Sequence, residues 1–331
     1  MTPRTLARRL AALATAALLT AVPVALAPAG QAATGGPVGR NAPYEYLGWG
    51  NPPDPVSVLS AGGVRQLTLA FMLSDGTCAP AWDGTRPLTG GSDQSAINRI
   101  RAAGGDVVVS FGGWAGNKLG EKCGSPSALA AAYQKVITTY RLHAMDIDIE
   151  NTEVADAVVR QRVISALEIV KTADPALKVY VTFGTTPSGP DATGLDLIAR
   201  GAAARLPVDG WVIMPFDFGG HTGSMGAASA AAADSLARSV AKAYGYSLAT
   251  AYRHIGISSM NGHTDEADEV ASTADFTTML RYAQVHHLAR FTFWAVNRDR
   301  PCPAGTSAGD TCSGIDQSPY AFTRLIARYH G

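Results

Sequence analysis

The sequence lacks several features that mark large classes of proteins. Only 16% of its 331 residues are charged, and 27 basic residues balance 27 acidic ones. A chain without excess positive charge is poorly suited to bind DNA or an anionic membrane. No Gly-x-Gly-x-x-Gly motif opens the first predicted helix, which argues against a dinucleotide-binding open sheet. There is no internal repeat or long linker, and this length suits one large α/β barrel or two small domains.

Cysteine is also scarce, with four residues at positions 78, 123, 302 and 312. No Cys-x-x-Cys pair occurs, which disfavours a structural zinc site. An even number of cysteines in a secreted chain predicts disulfides, and four cysteines allow three pairings. We favour Cys78–Cys123 and Cys302–Cys312, because the members of each pair would lie on loops at the same end of the predicted strands.

The N-terminus has the pattern of a secretion signal. Three arginines precede an apolar run, Leu10–Ala27, and small residues follow it, with cleavage expected near Ala32 or Ala33. A retained membrane anchor is the alternative, but the run is short and contains Pro23. We therefore expect a secreted, extracellular protein without membrane attachment. The expected organisation is a signal peptide at 1–33, a flexible segment at 34–43 and a single catalytic domain at 44–331.

Eight strand-like segments alternate with helical patterns after the leader. The predicted strands are Tyr44–Gly48, Gln66–Met72, Asp106–Phe111, Ala144–Glu150, Lys178–Phe183, Gly210–Phe218, His254–Met260 and Phe291–Val296. The predicted helices are Pro55–Ala61, Gln94–Ala103, Pro126–Tyr140, Val154–Thr172, Leu195–Arg205, Met225–Tyr244, Phe276–His287 and Pro319–Tyr329. Strand followed by helix, eight times, predicts an α/β fold of the (β/α)8 TIM-barrel type with a parallel eight-stranded sheet. An open doubly wound sheet is the alternative.

The fourth predicted strand carries the most informative pattern in the chain. Asp146, Asp148 and Glu150 are spaced by two residues, with apolar residues between them. Successive side chains of a strand point to opposite faces, so the three acids share one face, roughly 6–7 Å apart. Glu150 falls at the C-terminal end of the strand, where barrel enzymes carry their catalytic residues. An amphipathic edge strand and a carboxylate metal site are the alternatives, and no further ligand follows at suitable spacing.

Four motifs together resemble glycoside hydrolase family 18, the chitinase family, over nearly the whole chain after the leader. They are Asp146-Ile147-Asp148-Ile149-Glu150, Ser110-Phe111-Gly112-Gly113, Met214-Pro215-Phe216-Asp217 and Trp294. They resemble the Asp-x-Asp-x-Glu, Ser-x-Gly-Gly and Met-x-Tyr-Asp motifs and the aromatic floor of that family, on the fourth, third, sixth and eighth strands. The similarity is to the bacterial members that consist of a single barrel.

The resemblance implies hydrolysis of N-acetylglucosamine polymers by a substrate-assisted, retaining mechanism. Glu150 would protonate the glycosidic oxygen, and the 2-acetamido oxygen of the substrate would attack the anomeric carbon. Asp148 would hold the acetamide nitrogen, and Asp146 would be its inner partner. Asp217 would complete the catalytic group. The resemblance implies chitin or a related glycan as partner and no cofactor or metal; we expect a monomer.

The other candidate residues each have a structural alternative. Ser110 would tune Asp146 or cap a turn, Gly112 and Gly113 would give backbone room, and Asp217 would serve the site or cap a helix. Met214 and Phe216 would contact substrate. Sugar rings stack on aromatic faces, so a final set of tryptophans is expected to line the cleft. This set consists of Trp294, Trp49, Trp82 and Trp114. Trp294 could instead belong to the core. Trp211 is expected to pack in the barrel wall.

The sixth-strand motif departs from the family pattern. Its Tyr is replaced by Phe216, and in the variant Met-x-x-Asp-Tyr the corresponding residue is Phe218, so no hydroxyl remains at the motif. A glycan-binding or inhibitor protein with weak or lost turnover is therefore the alternative function. Between the seventh and eighth strands, Asn261–Asp275 is too short for a folded insertion, which predicts a barrel without a large insertion domain and with a shallow cleft suited to endo cleavage.

Overall fold

The structure is a computed structural model that describes residues 38–221 and 223–331. Within this part of the chain, eight parallel strands form a near-closed barrel, and consecutive strands are neighbours. The barrel strands, first to eighth, are Tyr44–Tyr46, Gln66–Ser74, Asp106–Gly112, Ala144–Asp148, Lys178–Gly184, Gly210–Met214, Ile255–Met260 and Arg290–Trp294. The predicted TIM-barrel fold is confirmed, and every predicted strand overlaps an observed one.

Helices cover the outside of the barrel. They are Pro55–Gly62, Ser92–Ala102, Leu119–Lys122, Pro126–Tyr140, Asn151–Ala155, Ala157–Ala173, Ala192–Ala203, Met225–Tyr244, Leu248–Tyr252, Thr273–His286 and Ala321–Ala327. The helix predicted over Val154–Thr172 is two helices, because Asp156 accepts hydrogen bonds from the backbone N–H groups of Val158 and Val159 and caps the second one. The fourth and sixth strands end earlier than predicted, at Asp148 and Met214, since the chain turns directly after them.

Strand alternation sorts the side chains into two layers. On the fourth strand, Met145, Ile147 and the following Ile149 point outward into the apolar core that the helices cover. Asp146 and Asp148 point into the barrel instead and are almost fully buried. The same side-chain period operates on every strand, so the inward-facing polar residues of neighbouring strands meet inside the barrel.

Arg290 fills the lower part of the barrel. Its fully buried guanidinium lies 4.8 Å from the ring centroid of Tyr180 and 5.6 Å from that of Tyr44. Its Nη2 donates to Thr68 Oγ1 at 2.7 Å. The barrel is therefore a packed core below the acids, and a substrate can reach them only from the C-terminal face of the strands.

Side chains join the eighth strand to the first. Thr292 Oγ1 donates to the carbonyl oxygen of Ala42 at 2.6 Å. Asn297, just after the eighth strand, accepts from the Tyr46 N–H at 3.0 Å and donates to the Tyr46 carbonyl at 2.9 Å. The side-chain amide of Asn297 thus pairs with backbone groups that a neighbouring strand would otherwise bind. It satisfies the hydrogen-bonding groups at the edge of the first strand, where the sheet pairing stops.

Residues 38–43 belong to the segment predicted to be flexible, and for these residues the prediction is wrong. Ala42 is fully buried, and the carbonyl of Val38 accepts a hydrogen bond from Tyr180 Oη at 2.8 Å. They are ordered because their backbone supplies acceptors at the barrel floor. The predicted signal peptide and residues 34–37 lie outside the described residues. Among the described helices, none has both the length and the apolar character to cross a membrane.

Two disulfides and one short hairpin complete the loops. The disulfides are Cys78–Cys123 and Cys302–Cys312, which confirms the favoured pairing. After the seventh strand, Gly262–His263 pairs with Val270–Ala271, and the helix Thr273–His286 leads to the eighth strand. The described chain has no larger insertion at this point, as predicted.

Candidate active site

Asp146 accepts hydrogen bonds from three hydroxyl groups at the centre of the site. Tyr44 Oη and Ser110 Oγ donate to its Oδ2, each at 2.7 Å, and Thr182 Oγ1 donates to its Oδ1 at 2.6 Å. The donors come from the first, third and fifth strands. Such donors stabilise a carboxylate in its charged form, so a negative charge can persist in a fully buried place.

Asp148 lies next along the same face and has far fewer partners. It is 3% exposed, and its Oδ1 has no hydrogen-bond partner among the described residues. Burial, and then the charges of Glu150 and Asp146, raises the pKa of the Asp148 carboxyl well above its usual range. Asp148 is therefore suited to hold a proton beside Asp146.

Glu150 stands two residues further on, at the mouth of the barrel. The strand has ended, and Glu150 precedes the short helix Asn151–Ala155 in an extended conformation. Burial raises the pKa of its carboxyl to about 7, while the positive charge of Lys118 opposes that rise. A carboxyl group with this pKa can donate a proton near neutral pH, as a general acid must.

Two glycines allow the third strand to approach these acids closely. Gly112 has φ +103° and Gly113 has φ +89°, conformations that disfavour other residues. The Gly113 N–H donates to the Asp148 carbonyl at 2.8 Å. A Cβ on Gly112 would lie only 2.2 Å from that oxygen, so any side chain at this position would push the strands apart.

Aromatic rings form one wall of the mouth. Trp294, half-buried, stacks on Phe71 with ring centroids 5.3 Å apart and an interplanar angle of 14°. Tyr46 packs edge-on against Trp294 and within 4.4 Å of the ring centroid of Trp49. Trp49 is 46% exposed and Trp114, on the loop after the third strand, is 68% exposed. These exposed faces are available to sugar rings.

Trp82 does not line the cleft, so that prediction is wrong. It is fully buried, and its Nε1 donates to Tyr140 Oη at 2.7 Å. The reason is the short strand Pro80–Trp82, which pairs antiparallel with the second barrel strand and turns the indole under the helix Pro126–Tyr140. Trp211 packs against Phe183 in the barrel wall, in the place expected for it.

The sixth-strand motif lies across the mouth from these rings. Met214 is buried and Phe216 half-buried, whereas Asp217 is exposed, with φ +53°. Asp217 Oδ1 accepts from the Asp265 N–H at 2.9 Å, and its own N–H donates to Glu269 Oε1 at 2.7 Å. Burial and then the charge of Asp265 raise the pKa of the Asp217 carboxyl. Asp217 thus faces the acids from the hairpin side.

Two features of the site were missed in the sequence. Thr182 and Tyr44 donate to Asp146, yet each lies on another strand, and only the pairing register brings them to it. Phe71 was missed as the partner of Trp294. No cluster of three or more His, Cys, Asp or Glu residues in the described chain could hold a metal ion.

Comparisons with known proteins agree with this geometry. No family model matches the chain. It is 26% identical over 307 residues to a probable bifunctional chitinase/lysozyme of Escherichia coli (strain K12), covering 87% of this chain and 34% of that protein. It is 25% identical over 277 residues to Endochitinase 11 of Metarhizium anisopliae, covering 78% and 52%. The chain thus spans between a third and about half of the length of these relatives.

Solved structures give the more extensive match. The catalytic domain of a hyperthermophilic chitinase from Pyrococcus furiosus has a TM-score of 0.78 and 27% identity, over 87% of this chain and 93% of that one. Catalytic-site mutants of active domain 2 of a Pyrococcus furiosus chitinase, complexed with chito-oligosaccharides, have a TM-score of 0.77 and 26% identity, with the same coverage. The chain is thus similar in sequence and in fold to chitinases of glycoside hydrolase family 18. A family 18 chitinase from Chromobacterium violaceum shares the fold at 16% identity.

We predict that the three hydroxyl donors to Asp146 are needed for any hydrolytic activity of this site. Tyr44→Phe removes one donor and little volume. Hydrogen bonds to charged groups contribute about 1.5–3 kcal/mol, so kcat/KM on chito-oligosaccharides should fall about 10-fold or more. Tyr140→Phe is the matched control, because Tyr140 is a buried hydrogen-bonded tyrosine away from the acids. It should change thermal stability only; equal activity losses in both variants would contradict the prediction.

Proposed function

We propose that this chain is an endo-acting chitinase, which cleaves β-1,4-linked N-acetylglucosamine polymers by substrate-assisted hydrolysis with retention. The observation that carries the proposal is the inward-facing row of Asp146, Asp148 and Glu150. Its inner member is held by three hydroxyl groups, and its outer member has a pKa of about 7. The Pyrococcus furiosus structure with bound chito-oligosaccharides supports the substrate class.

Glu150 begins the reaction as the acid. It gives its proton to the glycosidic oxygen while the acetamide oxygen of the same sugar attacks the anomeric carbon and the glycosidic bond breaks. The acetamide becomes part of an oxazolinium ring, and its nitrogen gains positive charge. Glu150, now ionised, takes a proton from the water that opens the ring at the anomeric carbon, which restores the acid. Two displacements at one carbon give a product with retained configuration.

Asp148 and Asp146 stabilise that positive charge. Asp148 accepts a hydrogen bond from the acetamide N–H as the ring forms. Its raised pKa allows Asp148 to hold a proton in the free protein, and three hydroxyl groups hold the Asp146 carboxyl in place beside it. The carboxyls that stabilise the positive charge are thus positioned before the ring forms, which is how a preorganised site lowers a barrier.

The aromatic wall holds the polymer. Trp294 serves as the floor for the sugar that reacts, with Met214 and Phe216 on the opposite side. The exposed rings of Trp49 and Trp114 bind sugars further along the chain by stacking. Residues 1–33 direct secretion, so the protein acts outside the cell as a monomer on chitin or a related glycan.

A second function, glycan binding with weak or lost turnover, is favoured by one observation. Phe216 and Phe218 occupy the motif positions where a tyrosine hydroxyl would hold the acetamide oxygen, and Phe218 packs edge-on against His221. Loss of a hydrogen bond of this kind can cost a few kcal/mol of transition-state stabilisation. Turnover by the wild-type protein on chito-oligosaccharides separates the two functions, since a binder retains affinity without releasing products.

We predict that Glu150→Gln removes turnover and keeps binding. A glutamine fills the same space but cannot donate a proton. General acid catalysis contributes roughly 10²–10⁴-fold to the rate, so kcat should fall by roughly 10²-fold or more. Calorimetry should find chito-oligosaccharide affinity unchanged within about threefold, since neutral Glu and Gln make similar contacts. Glu168→Gln, on the exposed face of the helix Ala157–Ala173, is the matched control. Near-normal turnover by Glu150→Gln would exclude Glu150 as the acid.

We predict endo cleavage with little processivity. The hairpin Gly262–His263 and Val270–Ala271 is the only folded element between the seventh strand and the helix Thr273–His286 in the described chain, so no tall wall encloses the substrate there. An open cleft can bind a polymer in mid-chain. The viscosity of a soluble chitin derivative should fall early, with mixed oligomers as products. Nearly pure disaccharide at almost constant viscosity would instead show a closed, processive cleft.

A further inference from the structure

Two buried charged residues lie behind the catalytic acid and have no part in the mechanism above. Lys118 is 1% exposed and Glu153 is 2% exposed. Lys118 lies on the loop after the third strand, and Glu153 lies three residues after Glu150, in the helix Asn151–Ala155. Charged side chains are almost never fully buried without a compensating partner, so their presence here calls for a physical cause.

The Glu153 carboxyl is fitted between two glycines. Its Oε1 accepts a hydrogen bond from the Gly120 N–H at 3.2 Å. A Cβ on Gly120 would lie 2.1 Å from Oε1, and a Cβ on Gly112 would lie 3.2 Å from Oε2. The same Gly112 position is 2.2 Å from the carbonyl oxygen of Asp148. The Glu153 carboxyl therefore lies beside the end of the third strand, at the glycine that approaches the Asp148 carbonyl.

Residues that follow Glu150 attach its loop to the loop after the third strand. Asn151 Nδ2 donates to the Trp114 carbonyl at 3.3 Å, and Thr152 Oγ1 donates to Glu121 Oε1 at 2.5 Å. With Glu153, three consecutive residues bind this one neighbouring loop. The ammonium group of Lys118, on the same loop, donates a hydrogen bond to the Ala115 carbonyl. The position of Glu150 relative to Lys118 is thus fixed by contacts on both loops.

The charges around Lys118 are mostly negative. Burial lowers the pKa of Lys118, while the charges of four surrounding acids, Glu153, Glu150, Asp148 and Glu121, oppose that shift. Burial raises the pKa of Glu153 to about 8, with the Lys118 charge opposing it, and Tyr133 packs nearby with its own pKa raised. The Lys118 charge thus opposes the rise in pKa of Asp148 and Glu150 as well as that of Glu153.

We propose that Lys118 and Glu153 are positioning residues for the catalytic acid. Lys118 places a buried cation on the loop to which Asn151, Thr152 and Glu153 attach, and Glu153 fixes the loop that carries Glu150. The role rests on the proposed function of Glu150 as proton donor. A row of three buried carboxyls alone would hold its protons too tightly for an acid that must release one in each cycle. A cation behind the row corrects this without touching the substrate.

The test of Lys118 compares Lys118→Met with the wild type by ¹³C NMR titration of the Glu150 carboxyl carbon, identified through Glu150→Gln. The midpoint should move upward by about half a pH unit or more, because an opposite charge has been removed. The basic limb of the kcat/KM profile should move in the same direction. Lys122→Met, on the exposed side of the short helix Leu119–Lys122, should leave both unchanged. The proposal would be overturned by a Glu150 midpoint in Lys118→Met that stays within about 0.2 pH units of wild type. If Lys118→Met does not fold, Lys118→Gln replaces it in the same test.

The test of Glu153 compares two variants. Glu153→Gln keeps an acceptor for the Gly120 N–H, and its kcat should stay within about threefold of wild type at pH 7. Glu153→Leu removes the acceptor, and its kcat should fall about 10-fold or more while the calorimetric affinity for chito-oligosaccharide is kept. Equal activity of the two variants would overturn the positioning role. The NMR midpoints are measured without turnover, so a wild-type protein that cleaves nothing refutes the proposed function and leaves the Lys118 test intact.

Discussion

The hydrogen bonds that Tyr44, Ser110 and Thr182 donate to Asp146 are the interaction on which the site depends. A buried carboxylate without such donors would be neutral or would destabilise the barrel. With them, the buried Asp146 carboxyl is fixed beside Asp148, whose pKa is raised by burial and then by the charges of Glu150 and Asp146. The donors come from three strands, so this arrangement exists only when the barrel is assembled.

The fold supplies the rest of the arrangement through packing. Arg290 and its two tyrosines fill the barrel floor, so access is confined to the mouth where Glu150 lies. Gly112 and Gly113 let the third strand approach the backbone of Asp148. The loops after the third and fourth strands then bind each other, which fixes Glu150 relative to the loop that carries the buried Lys118. Stability and chemistry thus use the same close contacts, and a change of volume at these positions should affect both.

The sequence predicts the local patterns well, because strands, helices and the two-residue spacing of acids depend on neighbours in the chain. It predicts less where the answer depends on register or tertiary packing. Thr182 reaches Asp146 only through strand pairing, and Trp82 is buried because a short antiparallel strand, which no pattern marks, turns it inward. Glu153 resembles any acid in the first turn of a helix; its burial follows from Gly112, at the end of the third strand, and Gly120, in the short helix after it.

In the proposed mechanism the substrate's own acetamide is the nucleophile, and Asp148, supported by Asp146, stabilises the ring that forms. Proton NMR of the first products from a fully N-acetylated chito-oligosaccharide tests this most directly, when read before mutarotation. The account predicts that the new reducing ends appear first as the β anomer, and that the fully deacetylated oligomer is not cleaved. Initial α anomer, or comparable cleavage of the deacetylated oligomer, would contradict it.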